Sequence, residues 1–130
     1  MAQSALRSKI INLGGRMARD VVVTSGNSGF LQEISIGLHR FQADELIASG
    51  GGDAAPDPYE LLLAALGSCT SMTLRMYADR KGWALKTVRI RLTHEKMYAQ
   101  DCADCETKNG MLDVIKREIS LVGELADEQR

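Results

Sequence analysis

Three sulfur atoms are the first candidates for chemistry in this 130-residue chain: Cys69, and the pair in Cys102-Ala103-Asp104-Cys105. Cysteine reacts as the thiolate, and an apolar surrounding disfavours that charge. Cys69 is flanked by Leu62, Ala65, Leu66, Met72, Thr73 and Met76 at helical spacing. It therefore reads either as a small buried hydrophobe or as a nucleophile that needs a nearby cation or free backbone N–H groups. The Cys-x-x-Cys pair is open to three readings. As a zinc site it falls short of four ligands, because only Asp101, Asp104, Glu106 and a distant His94 accompany it. As a dithiol it could act as a local reductant or resolver for Cys69 if the fold brings them together. As two loop cysteines it has no role. An odd number of cysteines suits a reducing compartment better than a disulfide framework, so a cytoplasmic location is expected.

The element that positions Cys69 has clear signals at both ends. Asp57 caps, Pro58 fits the first helical position, and Glu60 can bond back to the Asp57 N–H in a capping box. Gly82 supplies a left-handed stop. About 24 residues at ~1.5 Å each span roughly 36 Å, the width of a small domain. Charges occur only towards the ends, at Glu60, Arg75, Asp79, Arg80 and Lys81, so the central turns are apolar nearly all round and Cys69 is expected to be enclosed. Cys69 lies too far from the helix start for the dipole to help, unless Gly67-Ser68 kinks the helix and frees N–H groups beside the sulfur.

Around this helix the pattern is mostly strand. Residues 1–17 have no clear period and read as an N-terminal arm. Arg19–Ser25, Phe30–Ile36 and Leu38–Glu45 are short segments separated by Gly-containing turns, which predicts an antiparallel meander. Ser49–Pro56 is a flexible Gly-rich loop. It lacks the lysine and the preceding strand of a phosphate-binding loop. After Gly82, Lys86–Thr93 alternates, with Val88, Ile90 and Leu92 on one face and Thr87, Arg89, Arg91 and Thr93 on the other. The strand continues to about Tyr98, and Met111–Leu121 is its expected hairpin partner. His39 and His94 read as strand surface residues. Ala126–Arg130 looks like the start of a helix, so the C-terminal helix region is expected to be cut short.

Length and charge narrow the function classes. A chain of 130 residues reads as one domain spanning 1–130. A net charge of −1 and a pI near 6.1 give no basic excess for nucleic acid. No run approaches the ~18 apolar residues of a membrane span, and the N-terminus lacks the apolar core of a signal peptide.

The run Pro58-Tyr59-Glu60-Leu61-Leu62-Leu63-Ala64-Ala65-Leu66-Gly67-Ser68-Cys69-Thr70, followed by Met72-Thr73-Leu74-Arg75-Met76-Tyr77-Ala78, resembles the central helix of the OsmC and organic hydroperoxide resistance (Ohr) family. The Gly-rich loop before it and the strand-turn-strand after it extend the resemblance over residues 18–130. The resemblance implies an α+β fold in which an antiparallel sheet wraps around long central helices, with two subunits intertwined as a homodimer and active sites at the interface. It implies that Cys69 attacks the O–O bond of an organic hydroperoxide and becomes a sulfenic acid. An arginine, best matched by Arg40 with Arg16 and Arg19 as alternatives, would lower the thiol pKa and orient the peroxide. The family's second cysteine has no counterpart here. The residue after the helix proline, a glutamate in the hydroperoxide-resistance branch, is Tyr59, with Glu60 next, which points to an OsmC-like branch.

The expected activity is thus reduction of organic hydroperoxides by Cys69, Arg40 and Glu60, with an external thiol or lipoyl reductant and no cofactor or metal. Tyr59, Leu66 and Met72 are the candidate substrate-binding residues, although Tyr59 could simply staple the start of the helix and Glu60 simply cap it. The alternative is a non-catalytic module that binds a small molecule or senses redox state through the same apolar helix.

Overall fold

The computed structural model describes residues 18–130; the N-terminal arm and Arg16 lie outside the described residues. It is α+β, with antiparallel sheets and one α-helix among the described residues. The chain divides after Pro56 into two compact units.

In the first unit, β1 (Val21–Ser25), β2 (Gln32–Ile36) and β3 (His39–Ala43) form the expected meander in the order β1-β2-β3. The register sets Val23 against Ile34 and Ile34 against Phe41, while Val22, Ser35 and Arg40 align on the neighbouring rung. Because side chains alternate along a strand, one face is apolar and Arg40 belongs to the other. Gln42 and Glu33 share that polar face and are joined by a side-chain hydrogen bond of 2.5 Å. Beyond β3, the backbone turns through a short 3₁₀ segment, Ile47–Ser49.

The loop that follows is not the free linker that its glycines suggest. Asp44 is buried, and its carboxylate accepts the N–H groups of Glu45 (2.8 Å), Gly52 (3.2 Å) and Ala54 (3.1 Å). Its own N–H donates to the Pro56 carbonyl. The N–H groups of Ala54 and Glu45, foremost, hold the Asp44 pKa below the usual aspartate value, against the opposing pull of burial; Gly52 adds a smaller lowering.

The second unit is built from α1 (Pro58–Lys81), β4 (Ala84–Tyr98) and β5 (Met111–Glu124). The helix ends fall where the caps were read. Asp57 accepts the Glu60 N–H, Glu60 accepts the Asp57 N–H, and Gly82 closes the helix at φ 67°. Such a cap stabilises by about 1 kcal/mol. β4 and β5 pair antiparallel as a long hairpin; β4 starts before the expected Lys86 and ends at Tyr98 as read, and β5 runs past Leu121 to Glu124. A bulge between Leu85 and Thr87 lies opposite Gly123, whose φ of 153° and tight approach to Ala84 leave no room for a Cβ. That glycine lets pairing continue to Glu124. Arg75 of α1 fixes the same end by donating to the carbonyls of Leu85 (2.5 Å) and Lys86 (2.9 Å). The chain ends in a single 3₁₀ turn, Asp127–Gln129, with the Gln129 side chain accepting the Ala126 N–H.

Candidate functional site

The helix lies against β4 in a definite order. Tyr59 meets His94, Gly67 meets Leu92 and Ile90, and Arg75 meets Leu85 and Lys86. α1 therefore climbs as β4 descends. Gly67 is a place of close approach: a Cβ there would stand 2.8 Å from Leu92 Cδ1. The helix is unbroken from Pro58 to Lys81, so Gly67-Ser68 is a packing gap and not a kink. No backbone N–H groups are freed beside Cys69. The hydroxyls of Ser68, Thr70 and Thr73 instead turn back onto the carbonyls of Ala64, Leu66 and Cys69.

Cys69 is free and exposed. The expectation that it is enclosed fails within this chain, because the sheet covers only the helix stripe through Gly67, Leu74 and Ala78 and nothing in the unit packs over the opposite side. Leu62, Leu66, Met72 and Met76 share that exposure. Between α1 and β4 lies an open groove of about 550 Å³ lined by Leu63, Gly67, Ser68, Met72, Ile90 and Leu92, among others. Of the candidate substrate-binding residues, Met72 lines it, whereas Leu66 and Tyr59 do not.

Tyr59 packs. Its ring stacks on His94 at 4.2 Å and 9°, with the Lys96 ammonium 5.9 Å from its centroid. His94 is accordingly no strand surface residue: its side chain is 15% exposed, and Nε2 sits 2.7 Å from Asp113 Oδ1. The alternation that put His94 in line with Leu92 and Ile90 was the signal for this, since all three share the face turned to the helix. His39 is exposed on β3, and Glu60 is engaged in the helix cap.

Arg40 stands on β3 in the first unit and Cys69 on α1 in the second. Arg19, the described alternative, lies alongside Gly37 at the β2–β3 turn. A cation that sequence reasoning passed over is Arg117 of β5, which donates to Thr70 Oγ1 at 3.3 Å, one residue along the helix from Cys69. It faces the helix because it pairs with Leu92, which the alternation of β4 already placed inward.

Cys102 and Cys105 form a disulfide in the connection between β4 and β5. They are bonded to each other rather than free, and among the described residues no group of three or more His, Cys, Asp or Glu is placed to hold an ion. Nor are they near Cys69 within the unit. From the level of Tyr59 and His94, Cys69 lies ~15 Å along the helix one way. The strand residues after His94 carry the chain ~13 Å the other way before the connection begins. A separation on the order of 25 Å rules out a direct link between Cys69 and Cys102 in one chain.

A family model described as OsmC-like protein matches residues 50–129, which includes the whole helix and the hairpin behind it. No curated protein matches the chain. No helix among the described residues is long and apolar enough to cross a membrane.

Proposed function

The chain belongs to the OsmC-like protein family, and from that premise we propose that it is a thiol-dependent peroxidase that reduces organic hydroperoxides through Cys69. The observation that carries this reading is the state of the three cysteines. Cys102 and Cys105 are tied to each other, and Cys69 is the free, exposed thiol on an apolar helix. In the reaction the Cys69 thiolate attacks the terminal peroxide oxygen and the O–O bond breaks. The alkoxide takes a proton and leaves as the alcohol, while sulfur becomes a sulfenic acid. One external thiol then condenses with the sulfenic acid, releasing water, and a second displaces the mixed disulfide. No organic cofactor or metal is needed, since sulfur carries both electrons.

Apolar, flexible neighbours such as Leu66 and Met72 favour an alkyl or aryl peroxide over hydrogen peroxide. Family resemblance assigns the activating cation to Arg40, and the bond from Arg117 to Thr70 makes Arg117 its rival. The two are separable, because loss of the true partner slows alkylation of Cys69 at neutral pH whereas loss of the other does not. Glu60 is read as support for the helix start and, by resemblance, as a partner for that arginine. The exposed helix face favours a homodimer, in which a second copy covers the apolar surface.

The test is single-turnover mixing of the reduced protein with cumene hydroperoxide, followed by sulfenic acid trapping and mass mapping. Stoichiometric oxidation confined to Cys69, abolished in Cys69→Ser with helical content retained, is the expected result. Slow oxidation of all three cysteines alike would sink the peroxidase reading. A second reading, a small-molecule-binding module, is favoured by the groove beside Gly67, because Cys69 is not in its lining. Cumene binding that survives in Cys69→Ser without any turnover in the parent protein would select it.

A further inference from the structure

The connection between β4 and β5 carries chemistry that the peroxidase reading does not use. Its base is anchored independently of the sulfur atoms. Ala99 is fully buried, its N–H donates to the Gly110 carbonyl at 2.9 Å, and the Cys102 N–H donates to the Ala99 carbonyl at 3.2 Å. The disulfide closes only the short Cys102–Cys105 loop, and a short loop gains little from closure. Ala103, Asp104 and Glu106 around it are exposed. This bond is therefore not what holds the hairpin together, and solvent reaches its surroundings.

A cation is fixed beside it. Lys108 Nζ donates to the Cys102 carbonyl at 2.8 Å and is 3.5 Å from the Ala103 carbonyl, which holds the ammonium against the backbone where the disulfide loop begins. Positive charge near a sulfur stabilises its thiolate and makes it the better leaving group in thiol–disulfide exchange. Three carboxylates, Asp101, Asp104 and Glu106, surround the same loop. They outnumber the lysine and repel anionic thiols.

We propose that Cys102–Cys105 is a reversible thiol–disulfide exchange site that accepts electrons from a small neutral or cationic dithiol, with Lys108 as the positioning residue that favours departure of Cys102. One donor thiolate attacks Cys105 Sγ, the S–S bond breaks, and Cys102 leaves as the thiolate in the field of the Lys108 ammonium held at its own carbonyl. The second donor thiol then attacks the donor sulfur bound to Cys105. The donor departs as its cyclic disulfide, and its two thiol protons end on Cys102 and Cys105. Two electrons have moved, and each step runs backwards with the oxidised donor. Cys69 takes no part.

The full chain, in parent, Cys69→Ser, Lys108→Gln and Lys108→Arg forms, is equilibrated with mixtures of reduced and oxidised dithiothreitol, quenched with an alkylating agent and mapped by mass. The pair is expected to interconvert without denaturant in the parent and in Cys69→Ser alike, with an unchanged circular dichroism spectrum. Lys108→Gln should slow reduction about 3- to 10-fold and Lys108→Arg restore it. Cationic cysteamine should outpace anionic glutathione at low salt, with the gap narrowing as salt rises. Reduction that occurs only in denaturant overturns the proposal, as does a Lys108→Gln rate equal to or faster than the parent's, which is what simple loosening of the loop would produce. Exchange that proceeds normally in a protein inert to hydroperoxide would leave this site standing and remove the peroxidase reading alone.

Discussion

Gly67 sets how closely the helix and the sheet approach, and it separates two opposed effects of a side chain. Alanine there gains helix propensity worth about 1 kcal/mol, while its Cβ presses on the terminal methyl of Leu92, which can move aside. Gly67→Ala is expected to change stability little. Gly67→Val adds branches against the same methyl and against Ile90, and is expected to cost about 1–3 kcal/mol. Urea unfolding of both variants checks the contrast; equal destabilisation would mean that the glycine serves the helix and not the contact. Single residues were legible in the sequence where their role is local. Asp57, Glu60 and Gly82 were readable as caps because a cap depends on three or four neighbours in the chain. Gly67 left a kink open as one reading, and its packing role was hidden because the neighbour that explains it, Leu92, is distant in sequence.

Among the elements, the loop leading to α1 depends most on ionisation. Asp44 has a folded pKa below its unfolded value of about 3.9. The stabilisation is therefore fully present above the unfolded value and is lost as pH falls through the folded one. Protection of the Gly52 and Ala54 amides against hydrogen exchange should fall across that acidic window, after correction for intrinsic rates. In Asp44→Asn it should be weaker throughout and lack the pH dependence, since a neutral carbonyl is a poorer acceptor than a carboxylate and the amide NH2 must face either the Glu45 N–H or the Gly52 and Ala54 N–H groups. Protection unaltered by either acid or substitution would show that the loop stands without this carboxylate. Composition alone read the loop as flexible because glycine count says nothing about a buried acceptor eight to ten residues upstream. The strands were read more fully, since alternation in β4 is a local property. Their final bounds depended on Gly123 facing Leu85 across the ladder.

At the scale of the molecule, the telling feature is how little is buried among the described residues. Among the described residues, Ala43, Ala78, Leu85 and Ala99 are the buried hydrophobic ones, whereas Leu62, Met72 and Met76 on one side of α1 are 56%, 66% and 62% exposed. An apolar helix face of this kind marks an association surface. Sedimentation equilibrium is expected to give a dimer, and Met72→Glu together with Met76→Glu to give a monomer of lower stability. A parent protein that stays monomeric across the accessible concentration range would refute the expectation. Sequence alone established the helix and its caps, the antiparallel strands, their pairing as a hairpin and the family likeness, because each of these rests on patterns between residues close along the chain. Tertiary structure alone decided that Cys69 is exposed, that Cys102 and Cys105 are bonded and remote from it, that Tyr59 stacks on His94, and that Arg117 reaches Thr70. Those relations join residues far apart in sequence, and their existence depends on which face of each element the packing covers.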